Sequence, residues 1–453
     1  MKRRDFLKIG LKLGGAALLS GCAGGSFAPI EIELNGLEDK ITAPTETVIS
    51  DRSLIRPCGI VSVNLEEEIL PRQNITVLPK KRLHRETVFF DAPKYKLVEG
   101  GNDPPKIEFN TTPKLYRVSD DSVIFEFTSE EPFEDSYTFW DYVVDRIPQN
   151  LVVSMVNFGD SILLTSNCDL NRKILKLSWD KLDNLQREIY LEHDDLVLAS
   201  DMVLGSDGKL YLTQAPIYEG WYITFPPEDP DEFNPNEGRL MRPARVISID
   251  KDKNLNVEFE LPSHQRPGNR AIHPIANNKL YPGYQSYWTG EGIKIVETSG
   301  DFFVSDLLEK KVYALSKSTR EVSLFQDLSE HPPMCLLSNQ GSLYIISTPL
   351  LRKDKTLFRN PKLIRIDSEK VQEVYDFSLD GFDFQGLSNL LLEEITIGES
   401  KLCYPLVYNM SATLDDVGLA SQLTYTDSHR KQVRRVTFPG GISNHPIGLK
   451  DYK

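Results

Sequence analysis

Cysteine and histidine are scarce: the 453 residues hold five cysteines and seven histidines. No CxxC pair occurs, and Cys58, Cys168, Cys335 and Cys403 are far apart, which excludes a zinc ribbon or a disulfide framework. These four read as buried, inert thiols. So few histidines also exclude a multicopper enzyme. Basic residues are outnumbered, giving a formal charge of −14, and such a chain repels nucleic acid as a partner. No G-x-S-x-G elbow, H-E-x-x-H helix, phosphate loop or dinucleotide fingerprint is present. No run beyond the N-terminus approaches the ~20 apolar residues a spanning helix needs. Helical periodicity is equally sparse; residues 171–186 come nearest, and they also read as strand, turn, strand.

What is present starts at the N-terminus. Arg3-Arg4-Asp5-Phe6-Leu7-Lys8 resembles a twin-arginine export signal, with Arg3, Arg4, Phe6, Leu7 and Lys8 as its defining residues. Leu19-Ser20-Gly21-Cys22 resembles a lipoprotein processing box. Between them a short apolar run, Leu13 to Leu19, follows a basic stretch and reads as a removable targeting segment. The resemblance implies cleavage before Cys22, lipidation of its thiol with palmitate among the acyl chains, and attachment to a membrane. The body would face the periplasm. Ala23 stands where an aspartate would favour inner-membrane retention, so the outer membrane is expected in a Gram-negative host. The domain expectation is a signal peptide at 1–21, the lipidated cysteine and tether at 22–52, and one domain at 53–453. The twin-arginine route carries folded proteins, which suits a body whose cysteines need no oxidation.

That body is strand-like, with short apolar runs separated by Gly, Asn, Asp, Ser and Pro. One unit recurs. Met155–Phe158 turns through Gly159-Asp160 into Ile162-Leu163-Leu164; Ile295–Thr298 turns through Ser299-Gly300-Asp301 into Phe302-Phe303-Val304. The same step recurs at Gly208, Gly341 and Gly398. A second strand pair follows, led by Lys173-Ile174, Arg245-Val246, Lys311-Val312 and Lys362-Leu363. Intervals of about 40–55 residues between such turns match a four-stranded propeller blade. The expected fold is an all-β propeller of six blades, with seven as the rival, and long insertions near 218–243 and 265–290. Ring closure is expected to use a strand from 54–64 or 106–127.

Here the chain resembles the NHL-repeat and gluconolactonase-like propellers. Val304-Ser305-Asp306 with Val312, and Tyr425-Thr426-Asp427 with Val433, follow that family's strand-Asp-turn-Val rhythm. Pro332–Leu336 and His445–Leu449 resemble its proline-led repeat start. Cys168 departs from the Asp position, and the Asn-His-Leu signature is absent. The resemblance speaks to architecture more than to activity.

Three features carry candidate chemistry. His273-Pro274, His331-Pro332 and His445-Pro446 are His-Pro pairs; at blade junctions, His273, His331 and His445 would face one channel mouth and bind a divalent metal. Trp221 and Tyr222 in one aromatic loop, and Tyr284 and Trp288 in another, would present flat faces to a glycan or peptide. The acidic, proline-rich stretch 226–238 lacks calcium-loop spacing and reads as a solvated loop. Two functions follow. One is a membrane-anchored binding or scaffolding module for a glycan, peptide or protein partner. The other is a propeller hydrolase or lyase dependent on a divalent metal, for which the family resemblance implies calcium held by Glu, Asn and Asp.

Overall fold

The structure, a computed structural model, describes residues 42–50, 54–55, 57–69, 80–91, 95–98, 106–109, 113–127, 137–139, 142–144, 153–166, 173–179, 185–196, 199–218, 240–262, 275–276, 279–280, 293–368, 370–379, 392–405 and 408–447. Among these, regular structure is almost wholly β. Seven four-stranded antiparallel sheets form, together with four two-stranded ones.

Six of the seven are blades of a propeller. Their inner strands are Pro57–Ile69, Val153–Phe158, Ala199–Leu204, Ile293–Thr298, Pro333–Asn339 and Met410–Val417, for blades 1 to 6. Each packs on the next, and Met410–Val417 packs back on Pro57–Ile69, closing the circle. Blades 1 to 5 run outward in sequence order, as in blade 4: Ile293–Thr298, Asp301–Asp306, Lys311–Leu315, Val322–Asp327.

Local sequence explains the repeat. Inner hairpins close through tight turns in which Ser299 (φ 54°) precedes Gly300 (φ 89°), and Gln340 (φ 49°) precedes Gly341 (φ 79°). Two consecutive left-handed residues match the twist of the flanking strands, and glycine adopts that conformation at no steric cost. The third strand of each blade then opens with an aliphatic residue excluded from solvent: Leu115, Ile174, Val246, Val312, Leu363 and Val433. In blades 1 to 5 a cation precedes it, and this cation faces an acid across the ladder: Lys114 opposite Glu126, Lys173 opposite Glu192, Arg245 opposite Glu260, Lys311 opposite Asp327, Lys362 opposite Asp376.

All six outer strands slip by one residue at the same step. Ile124, Tyr190, Glu258, Phe325, Val374 and Ile49 are passed over in the register. The five apolar residues at this bulge turn inward onto the cores between blades. A bulge bends the edge away from pairing with another chain, protecting a ring with six exposed edges.

Two expectations are corrected. Ring closure uses Thr45–Ser50, the outer strand of blade 6, which pairs with Gln432–Pro439; neither 54–64 nor 106–127 closes it, since both lie in blade 1. The propeller therefore includes residues 45–50, which the sequence reading assigned to the tether ending at 52. An outer strand is exposed on one face, so Thr-Glu-Thr-Val-Ile-Ser carries only a faint apolar signal. Residues 173–179 and 185–192 are strands, the second of the two readings of 171–186.

The seventh sheet lies outside the ring. Leu350–Arg352 and Leu357–Arg359, from between the second and third strands of blade 5, join Leu392–Ile397 and Ser400–Pro405, from between blades 5 and 6. Its buried side chains reach two cores, whereas Phe358, Glu394 and Thr396 stay exposed. Leu350, Ile395, Leu402 and Tyr404 join the core of blades 3 and 4, while Leu351 joins that of blades 5 and 6.

Candidate functional site: the insertion-bearing face

Strand direction assigns every connection to one of two faces. Inner hairpin turns and the turns between third and fourth strands share one face. Connections between second and third strands, and those between blades, share the other. The four two-stranded hairpins and the seventh sheet all arise from connections of the second kind. They are Tyr95–Val98 with Lys106–Phe109, Tyr137–Phe139 with Tyr142–Val144, Ile217–Tyr218 with Leu240–Arg242, and Ile275–Ala276 with Lys279–Leu280. The first two pack side by side. One face of the disc is therefore built up and the other is mostly tight turns, apart from the long first hairpin of blade 1.

The aromatic residues singled out in the sequence, Trp221, Tyr222, Tyr284 and Trp288, lie outside the described residues, as do His273, Cys22, Arg3, Arg4, Phe6, Leu7 and Lys8. The connections that carry the four aromatics, 219–239 and 281–292, both leave from the insertion-bearing face.

His331 and His445, the two candidate ligands that are described, arise on different faces. His331 sits in the link from blade 4 to blade 5, beside Leu328, whose N–H bonds Lys310 O in the turn between the second and third strands of blade 4. Its ring is largely buried, Nδ1 has no partner, and burial with the nearby Arg359 and Lys362 charges lowers its pKa to about 3, so it stays neutral. His445 lies past the third strand of blade 6, near Ser421 at the start of the second strand, and so on the turn face. Its Nε2 bonds Pro439 O. No new blade starts there, because the closing strand comes from the N-terminus. Among the described residues no three His, Cys, Asp or Glu side chains converge to hold a metal ion. A groove of about 670 Å³ does run along the outer strand of blade 5, lined by His331, Glu330, Gln372, Glu373, Pro446 and Ile447.

The strand-Asp-turn-Val rhythm has a structural explanation. Asp306, at the end of its strand, accepts the N–H groups of Leu308 and Glu309 at 2.9 and 3.0 Å. Asp427 accepts those of His429 and Arg430 at 3.1 and 3.0 Å. Both carboxylates are buried. They shape the turns that carry this face and are unavailable to a ligand.

Sequence reasoning missed one group. On the seventh sheet, Arg352 and Arg359 lie on one face of their hairpin, and Phe358, passed over by the register, bulges between them. The guanidinium carbons stand 5.3 and 5.9 Å from the Phe358 ring centroid. The signal lay in the stretch 350–359, where two leucines lead into Arg-Lys-Asp-Lys and then Phe-Arg.

The ring of inner strands, the four-stranded blades and the closing strand define a six-bladed β-propeller with one elaborated face. No family model and no curated protein sequence matches this chain. Among solved structures it is similar to a catalytically inactive virginiamycin B lyase from Staphylococcus aureus with quinupristin, at 11% identity over 87% of this chain and 99% of that one, with a TM-score of 0.37. A protein of unknown function from Bacteroides thetaiotaomicron matches at 9% identity over 87% and 76%, TM-score 0.43. TolB from Acinetobacter baumannii matches at 9% over 86% of each chain, TM-score 0.32.

Proposed function

We propose that this chain is an exported, lipid-anchored binding or scaffolding module of the cell envelope. Its elaborated face would hold a glycan, peptide or protein partner. The observation that carries this reading is that, among the described residues, every hairpin inserted between ring strands arises on one face. Loops placed on a rigid scaffold are where binding residues concentrate. The twin-arginine-like residues Arg3 and Arg4 and the lipobox-like Cys22 support the address.

The test has two arms. With Cys22 intact, the protein should sediment with membranes; Cys22→Ser should release it to the soluble fraction, and continued sedimentation would defeat the anchor. On glycan and peptide arrays, the soluble Cys22→Ser form should retain a defined ligand set. Trp221→Ala with Trp288→Ala should abolish that set while leaving thermal unfolding unchanged. Binding that survives the double change would move the site off these loops.

A further inference from the structure

The hairpin 350–359 differs in charge from the protein that carries it. The whole chain is strongly acidic. This hairpin holds Arg352, Lys353, Lys355 and Arg359 against Asp354 alone. Neighbouring cations meet a carboxylate, as Lys353 and Lys401 meet Glu394. Among the described residues Arg352 and Arg359 make no salt bridge, and Arg352 reaches the Asp354 carboxylate only through its field. Among the described residues their hydrogen bonds go to backbone oxygens only, Leu357 O at 3.4 Å and Glu330 O at 3.2 Å. Each guanidinium therefore keeps donors free while resting on the Phe358 ring, itself 40% exposed.

The mount is rigid. The tip closes through Arg352 N–H to Thr356 O at 2.9 Å and Lys355 N–H to Arg352 O at 2.8 Å. Asp354 accepts both the N–H and the hydroxyl of Thr356. Leu350 and Leu351 anchor the hairpin base in two cores. A guanidinium held on an aromatic ring loses little freedom on binding, and its planar fork suits a carboxylate taken through two parallel bonds.

We infer that Arg352, Phe358 and Arg359 form a docking ledge for a carboxylated polysaccharide on the insertion-bearing face. The inference rests on the binding-module reading and names a ligand class for it. The ledge is shallow, so a lone anion gains little there; a polymer with a carboxylate on each sugar engages both forks at once and gains from multivalency. The apolar Phe358 edge between the forks suits the C–H face of a sugar ring.

The test uses the full chain carrying Cys22→Ser, with polygalacturonate as the probe and neutral dextran as the control. Binding is followed by affinity electrophoresis or calorimetry at low and raised salt. Polygalacturonate should bind and weaken steeply with salt, and dextran should not bind. Arg352→Ala with Arg359→Ala should weaken binding at least tenfold. Arg352→Lys with Arg359→Lys keeps both charges and loses the forks; it should fall between the two, which a simple charge effect or a folding defect would not produce. Absent binding, or unchanged binding in the alanine pair, overturns the inference. Equal or tighter binding to polyglutamate or to vesicles with one-third phosphatidylglycerol also overturns it, in favour of an acidic peptide or a lipid surface. Loss of array ligands in the Trp221/Trp288 variant, with no polygalacturonate binding, would sink the ledge and leave the binding module standing.

Discussion

The carboxylate of Asp306 illustrates how one residue sets a turn at a cost that depends on pH. It is buried, and its two backbone N–H partners favour the charged form. Burial outweighs them, with the neighbouring Glu309 adding to it, and the carboxyl is pushed up to about 7 from an ordinary 3.8. The folded state therefore favours the protonated acid. That contribution is complete below about 4 and is lost as pH rises through about 7. Asp306→Asn keeps an oxygen acceptor for both N–H groups and cannot ionise. The melting temperature of the native protein, relative to this variant, should fall steadily from pH 4 to pH 8. A flat difference across that range would show that the carboxylate is charged throughout.

At the scale of the element, the closing strand is the vulnerable part. Thr45–Ser50 is the outermost strand of blade 6 and is joined to it across the longest sequence separation in any sheet. Its Glu46 anchors it laterally. The Tyr425 and Tyr375 hydroxyls both donate to this carboxylate, Tyr375 at 3.1 Å, and Arg434 Nε pairs with it at 3.0 Å. Tyr375 belongs to blade 5, so one side chain ties the strand to two blades. Burial and Glu46 together raise both tyrosine pKa values, keeping the hydroxyls as donors. Glu46→Ala leaves two tyrosine donors without their acceptor and Arg434 without its ion-pair partner, and should cost about 2–4 kcal/mol. Urea midpoints, read with the slope held constant, check it. Deleting residues 1–41 should leave the midpoint unchanged, whereas deleting 1–50 should broaden or abolish the transition.

How far these elements were legible in the sequence follows from their exposure. The inner hairpins of blades 2 to 5 were readable because glycine occupies their left-handed turns and both faces of their strands are covered; the step read at Gly398 belongs instead to the seventh sheet, and the blade 6 turn at Gly418 was not read. The third strands were readable from a cation followed by a buried aliphatic. Applied to Lys114-Leu115, the same step would have fixed blade 1. The closing strand was hidden because half of it meets water. The seventh sheet was hidden for another reason: it joins two hairpins about 40 residues apart, and neither segment alone shows that it pairs with the other. The aromatic loops were legible as chemistry, whereas Arg352 and Arg359 looked like ordinary surface charge until the bulge set Phe358 between them.

For the whole molecule, the closing strand also sets which way the disc faces. Thr45 pairs with Thr437, near the end of the third strand of blade 6, and so lies on the turn face. Residue 45 of the ring is therefore on the face opposite the insertions. A strongly acidic body is also held off an anionic bilayer. Under the anchoring proposed at Cys22, the tight turns should lie nearer the lipid, with the seventh sheet and the insertion hairpins turned outward. Two label sites report this: Leu419, 90% exposed on the blade 6 inner turn, and Asp354, exposed at the hairpin tip. In lipidated protein on vesicles, a donor dye on Leu419→Cys should transfer energy to a bilayer acceptor more efficiently than one on Asp354→Cys. With Cys168→Ser in both variants, the buried Cys58, Cys335 and Cys403 should label slowly enough to be subtracted. Equal transfer from both sites would mean that the tether leaves orientation free, and a reversed order would place the insertion-bearing face against the membrane.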